Sequence, residues 1–221
     1  MISSANKTND EGGVKTGNGT ALVLANVACE RGGLLIFAGL SLTVRAGTAV
    51  QITGRNGAGK SSLLRLVAGL LEPSAGHIRF DGIAADETRA DHCHYLGHEN
   101  GLKRQLTVRD NLAFWEAVYG PSGRDPDDAL LAVGLERLAD LPAGFLSAGQ
   151  KRRVAIARLL VSQRLLWLLD EPNAALDRQA DGILGDLVTA HLRNGGLAIA
   201  ATHMPLPFPV AETLDLTGLK P

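Results

Sequence analysis

The segment Gly54-Arg55-Asn56-Gly57-Ala58-Gly59-Lys60-Ser61 constrains this chain more than any other. It fits the pattern G-x-x-x-x-G-K-[ST] at every fixed position. Val50 and Ile52 make an apolar strand that enters it, and Leu63, Leu64, Leu66 and Val67 make a helical exit. Glycines at these positions let backbone N–H groups turn inward around phosphate oxygens without Cβ clashes. The N-terminus of the following helix adds a partial positive charge of roughly half a unit. In this frame Lys60 reaches the β- and γ-phosphates of ATP, the Ser61 hydroxyl ligates Mg²⁺, and Ser62 completes the phosphate-binding set. The plain alternative is a glycine-rich turn before a helix, which the flanking strand and helix disfavour. A dinucleotide loop is disfavoured because Lys60-Ser61-Ser62 stands where a third glycine belongs.

Further along, Leu165-Leu166-Trp167-Leu168-Leu169 is an apolar run that ends in Asp170-Glu171. Successive strand side chains point to opposite faces, so the two acids are expected to do different work. Asp170 is expected to hold the Mg²⁺ shell, and Glu171, just beyond the strand, to act as general base on the attacking water. An acid pair at a strand end is often only a solvated cap. The phosphate loop upstream is what favours the catalytic reading.

The chain is 221 residues long, enough for one large domain or one domain with a small lobe. Residues 1–20 carry almost no large apolar side chains and are expected to be a disordered tail. Residues 21–221 are expected to form the folded domain. From Lys60 onward, expected helices (60–71, 147–162, 178–193) alternate with short apolar strands (165–170, 197–202), the pattern of a parallel sheet covered on both faces. The helical stretch within about 99–146 interrupts that alternation and is expected to be a small lobe. Thr107 and Asp110 form a capping-box-like pair at its first helix. Two cysteines, Cys29 and Cys93, are too few for a disulfide framework. No apolar run approaches the roughly 20 residues that cross a bilayer, and no secretory leader pattern opens the chain. A cytoplasmic location follows as an expectation, with another chain supplying any membrane span. A formal net charge of −1 gives no reason to expect a nucleic-acid partner, and the basic trio Lys151 to Arg153 spans a single helical turn.

Leu146-Ser147-Ala148-Gly149-Gln150 precedes a helical segment. Here the chain resembles the ABC ATPase superfamily, whose signature reads L-S-x-G-Q. Ser147, Ala148, Gly149 and Gln150 at a helix tip offer a hydroxyl and backbone N–H groups to a γ-phosphate. The resemblance implies that this phosphate belongs to ATP held by a second copy of the chain, in a nucleotide-sandwich dimer. It also implies an α/β P-loop NTPase fold with a β-rich nucleotide-binding edge, a parallel sheet core and a helical lobe. Ala175-Leu176-Asp177 matches the D-loop, placing Asp177 along the dimer interface, and His203 matches the switch histidine that contacts the γ-phosphate.

Two departures narrow the resemblance. His98 stands where most members carry the Q-loop glutamine. A histidine has no amide oxygen for Mg²⁺, so either His98 fills that position or neighbouring Glu99 does. Arg31 stands where an aromatic side chain usually stacks on adenine, and a guanidinium can stack on a base. Both departures are similar to the heme-exporter ATP-binding subunits of cytochrome c-type biogenesis. So are Leu141-Pro142-Ala143-Gly144 and Ala201-Thr202-His203-Met204-Pro205-Leu206. That resemblance implies integral membrane permease subunits as partners, a peripheral place on the cytoplasmic face of the bacterial inner membrane, and ATP hydrolysis that drives heme export or release of a heme chaperone. The alternatives are another ABC exporter, or a soluble ABC ATPase acting on nucleic acid or ribosomes. Val108, Leu112, Trp115 and Tyr119 recur at i, i+4, i+7 and i+11. They are expected to be lobe core, or at their outer edge a groove for a permease helix. His92-Cys93-His94 is expected to pack as an ordinary strand, since its alternation suits a closed metal site poorly.

Overall fold

The computed structural model describes residues 19–83 and 88–219. The tail expected over residues 1–20 lies outside the described residues except for Gly19 and Thr20. The described residues open on a long antiparallel hairpin, β1 (Ala21–Arg31) and β2 (Leu34–Arg45), turned by Gly32 and Gly33, both at positive φ. β4 (Ala75–Asp81) pairs antiparallel with the other edge of β1, giving a three-stranded sheet in the order β2-β1-β4.

The second sheet is wholly parallel. It runs β5 (Cys93–Leu96), β6 (Leu166–Asp170), β7 (Leu197–Ala201), β3 (Ala49–Thr53) and β8 (Glu212–Asp215). Every residue of β6 and β7 is buried, as expected for strands covered on both faces. Alternate side chains feed two separate cores. Leu166, Leu168, Ile199 and Ile52 pack with the hairpin and with α1 (Lys60–Val67), while Trp167, Leu169, Ala198 and Ala200 pack toward the helices that follow β5.

Those helices are α2 (Val108–Tyr119), α3 (Pro126–Ala132) and α4 (Ala148–Ala157), and α5 (Arg178–Arg193) lies between β6 and β7. Thr107 accepts the Asp110 N–H at 3.0 Å, so this cap is one-sided, whereas Ser147 and Gln150 make the full reciprocal box at α4. Val108 and Leu112 are fully buried in the core shared with α3 and α4.

Three expectations are corrected. The helix expected over 60–71 ends at Val67, because Gly69 turns left-handed and the Leu70 and Leu71 N–H groups fold back onto the Arg65 carbonyl. The helix expected over 147–162 is regular only to Ala157, after which Leu159 and Leu160 tighten into i→i−3 bonds. His92 closes a short 3-10 turn (Arg89–His92) rather than starting the strand. β8 was not foreseen at all.

Candidate functional site

A cavity of about 760 Å³ opens at the C-terminal ends of β3 and β6. Its floor is the phosphate loop, from which Asn56, Gly57, Gly59, Lys60, Ser61 and Ser62 line the wall. Gly59 caps α1 at φ 99°, and no side chain among the described residues makes a capping hydrogen bond at that helix tip. The first N–H groups of α1 therefore face the cavity with their partial charge unmet by protein side chains. Lys60 Nζ donates to the Gly54 carbonyl at 2.8 Å and the Arg55 carbonyl at 3.4 Å, which holds the ammonium over the loop. Ala58 N–H closes the loop onto the Arg55 carbonyl. Gly54, Arg55 and Ala58 shape the loop without lining the cavity. A Cβ at Gly54 would meet Ala58 at 3.2 Å and Asp215 at 3.4 Å, and its φ of 137° suits only glycine.

Asp170 and Glu171 line the same cavity. Asp170 ends β6, buried, with the Tyr95 hydroxyl 3.4 Å from its Oδ2. Burial first, and then the Asp170 charge, push the Tyr95 phenol above its ordinary value, so it stays a donor. Glu171 leaves the strand at φ 44°, a left-handed conformation uncommon for a non-glycine residue and frequent at active sites. The two acids have different polar partners. Thr202, fully buried, donates its hydroxyl to Glu171 Oε2 at 2.7 Å, and His203 Nδ1 lies 3.5 Å from Oε1. Ser61 and Asp170 thus present hard oxygen donors to one cavity, a donor set that fits Mg²⁺.

His98 also lines this cavity, and Glu99 does not. His98 borders a second hollow as well, about 640 Å³, walled by Tyr95, Trp115, Tyr119 and Arg158. The stripe on α2 therefore divides: Val108 and Leu112 are core, while Trp115 and Tyr119, stacked at 5.3 Å, face the hollow. Arg158 covers Trp115 at 4.6 Å. Arg31 and Gly32, at the tip of the first hairpin, also line the first cavity.

The signature lies elsewhere. Ser147 and Ala148 are exposed, and Ser147 to Gln150 are not among the residues lining the cavity. The Ser147 hydroxyl accepts the Gln150 N–H at 3.2 Å, and Gln150 Oε1 accepts the Ser147 N–H at 2.9 Å. Gly149 sits against the Ala175 carbonyl, which would be 2.8 Å from an added Cβ. Ala175 is itself left-handed at φ 64°, and Asp177 caps α5 by accepting the Ala180 N–H at 2.8 Å. The signature tip and the Ala175-Leu176-Asp177 loop therefore form one exposed surface.

Of the His92-Cys93-His94 run, His94 is buried with Nε2 donating to the Ser162 carbonyl at 2.8 Å, and burial takes it down to about 3. Cys93 is buried in the other core, its thiol pushed up to about 12 by burial.

Thr202, Tyr95 and Arg152 were not singled out from the sequence. For Arg152 a signal existed: Arg152, Ala155, Ile156 and Leu159 recur at i, i+3, i+4 and i+7, and all four are buried. The arginine belongs to the inward stripe rather than to a solvated basic turn.

Residues 37–174 match the protein family described as ABC transporter. The chain is 50% identical over 202 residues to the cytochrome c biogenesis ATP-binding export protein CcmA of Rhizobium meliloti (strain 1021), covering 89% of this chain and 98% of that protein. It is 52% identical over 184 residues to the protein of the same name from Rhodopseudomonas palustris (strain BisB5), covering 83% and 92%. Among solved structures it is similar to the dimeric post-hydrolysis state of the ATP-binding cassette MJ0796 bound to ADP and Pi. The TM-score there is 0.72 at 25% identity, over 83% of this chain and 88% of that one.

Proposed function

The chain belongs to the ABC transporter ATP-binding family, and from that membership we propose that it is the ATP-hydrolysing subunit of an exporter serving cytochrome c biogenesis, turning over ATP to drive heme export or release of a heme chaperone. Residues 21–221 form its ATPase domain, with the helical lobe at about 99–146. The observation that carries the reading is a division of labour. The phosphate loop, Asp170, Glu171 and His98 share one cavity, while the signature tip of the same protomer points elsewhere. One protomer thus holds two halves of different sites, which a second copy placed head to tail would complete. The MJ0796 structure, dimeric and bound to ADP and Pi, supports the same arrangement.

In that dimer the Lys60 ammonium and the N-terminal N–H groups of α1 bind the β- and γ-phosphates of ATP. Ser61 and Asp170 hold Mg²⁺, which when bound neutralises charge on those phosphates. The carboxylate of Glu171 takes a proton from the attacking water as the oxygen closes on the γ-phosphorus and the bond from that phosphorus to the β,γ-bridging oxygen breaks, releasing ADP. Thr202 holds Oε2, so Oε1 is the oxygen free to accept that proton, beside His203. The partner's signature contributes hydroxyl and backbone donors to the γ-phosphate, each such bond worth about 1.5–3 kcal/mol. His98 fills the Q-loop position rather than Glu99, because it alone of the two borders the cavity. Arg31 lies against the base.

No helix among the described residues is long and apolar enough to cross a membrane. The hollow under Trp115 and Tyr119 meets the nucleotide cavity at His98, and it receives an integral membrane subunit from the cytoplasmic face of the inner membrane. Complementation tests the whole reading. In a bacterium lacking its own CcmA-type subunit, this chain is expected to restore covalent heme attachment to c-type cytochromes, scored by heme staining, and Glu171→Gln is expected not to. Equal rescue by both would remove ATP hydrolysis from the role.

A further inference from the structure

Arg152 is 3% exposed and sits on the first turns of α4, the helix whose tip is the signature. Among the described residues its guanidinium makes no ion pair with a carboxylate. A guanidinium carries five N–H donors in a rigid fork, and here every nitrogen is engaged. Nε donates to the Pro172 carbonyl at 3.1 Å. Nη2 donates to the carbonyls of Asp170 and Glu171, both at 2.7 Å. Nη1 donates to the Gly97 carbonyl at 2.8 Å and to Asn100 Oδ1 at 3.3 Å. Burial draws the group down to about 10, with Asp170 opposing, so it remains charged at neutral pH.

Burying a cation among neutral carbonyls is costly unless geometry repays it. What this geometry joins is specific. The backbone on either side of Glu171 and the carbonyl just before His98 are bolted to one rigid plane, and that plane rides on the signature helix. A second contact reinforces it, since Gly149 rests on the Ala175 carbonyl in the loop that follows Glu171.

We propose that Arg152 is a positioning residue that couples the two ATP sites of the dimer: it relays the seating of the signature helix on the partner's γ-phosphate to the backbone that aims Glu171 at this protomer's own ATP. The proposal rests on the dimer reading above. Either protomer's signature then reports, through its own Arg152, that the opposite site is filled, and Glu171 comes into line only when both are.

The test uses the purified full chain, with Arg152→Lys as the main variant, which keeps the charge but replaces the fork with a point donor that cannot span the carbonyls. Steady-state ATPase is measured against ATP concentration, ATP affinity by equilibrium titration, and ATP-driven dimerisation in a Glu171→Gln background by light scattering. For the unaltered chain a Hill coefficient approaching about 2 is expected for two coupled sites. For Arg152→Lys, kcat is expected to fall about tenfold or more and the Hill coefficient to drop to about 1, with ATP affinity kept within about twofold. Asn100→Ala, which removes one acceptor and leaves the guanidinium in place, gives a second reading should the lysine variant fail to fold. A loss of cooperativity larger than its loss of affinity is expected there too. Cooperative turnover retained in the folded lysine variant, or in Asn100→Ala if only that variant folds, overturns the coupling role while leaving the dimer intact. An unaltered chain that stays monomeric with ATP and turns over without cooperativity overturns the dimer and the coupling together.

Discussion

Thr202 donates its buried hydroxyl to Oε2 of Glu171 at 2.7 Å, and the Thr202 hydroxyl oxygen itself accepts the Met204 N–H at 3.1 Å. One hydroxyl at the end of β7 therefore fixes both the carboxylate at the end of β6 and the loop carrying His203. Because Glu171 stands in a left-handed turn, its side-chain direction depends on what holds it, and Thr202 supplies the short contact.

Thr202→Val keeps the shape and removes the donor. A hydrogen bond to a charged group is worth about 1.5–3 kcal/mol, so kcat is expected to fall about tenfold to a hundredfold. ATP affinity is expected to hold, since Thr202 does not line the cavity. Thr202→Ser, which restores the hydroxyl, is expected to recover most of the rate. Single-turnover kinetics would show whether the deficit lies in the chemical step.

Gly149→Ala is predicted to separate binding from hydrolysis. An added Cβ would press on the Ala175 carbonyl at 2.8 Å, and backbone there cannot yield cheaply. ATP binding to the protomer's own loop is expected to be unchanged in a titration. Turnover is expected to drop about tenfold or more, because the donors offered to the partner's phosphate are displaced.

Much of this site was legible in the sequence because its chemistry is written in contiguous stretches. The phosphate loop and Asp170-Glu171 announce themselves by spacing, and α5 spans Arg178–Arg193 as its apolar periodicity predicts. What escaped depends on non-local geometry. β8 is four residues, mostly exposed, and exists because β3 offers it a free edge. The cost of burying Arg152 is met by carbonyls 18 to 55 positions away, and a basic trio gives no hint which member turns inward. Thr202 looked like the end of an apolar strand, and its role appears only once β6 and β7 lie side by side.

His98→Gln probes the position that departs from the broader superfamily. His98 touches both the nucleotide cavity and the hollow beside Trp115. Glutamine also offers a donor and adds an amide oxygen. Turnover in the presence of the membrane subunit is expected to stay within about threefold, whereas His98→Ala is expected to lose the stimulation by that subunit while retaining basal rate.

Stability toward acid follows from two buried histidines. Burial takes His94 down to about 3 and His191 down to about 4, from an ordinary value of 6.5. His191 lies flat on Trp167 at 4.1 Å and shares a hydrogen bond with the Leu197 carbonyl. With folded values depressed, the unfolded chain binds the extra protons below pH 6.5, so the stabilisation is full above that pH and shrinks as pH falls. Between about pH 6 and 4 two such groups cost about 2–3 kcal/mol per pH unit. Urea midpoints measured at pH 7, 6 and 5 are expected to fall with that trend. In His191→Phe, which keeps an aromatic ring against Trp167 and removes one titrating group, the slope below pH 6.5 is expected to be about half as steep. Parallel slopes in the two proteins would mean that acid sensitivity arises elsewhere, in the carboxylates rather than in this stack.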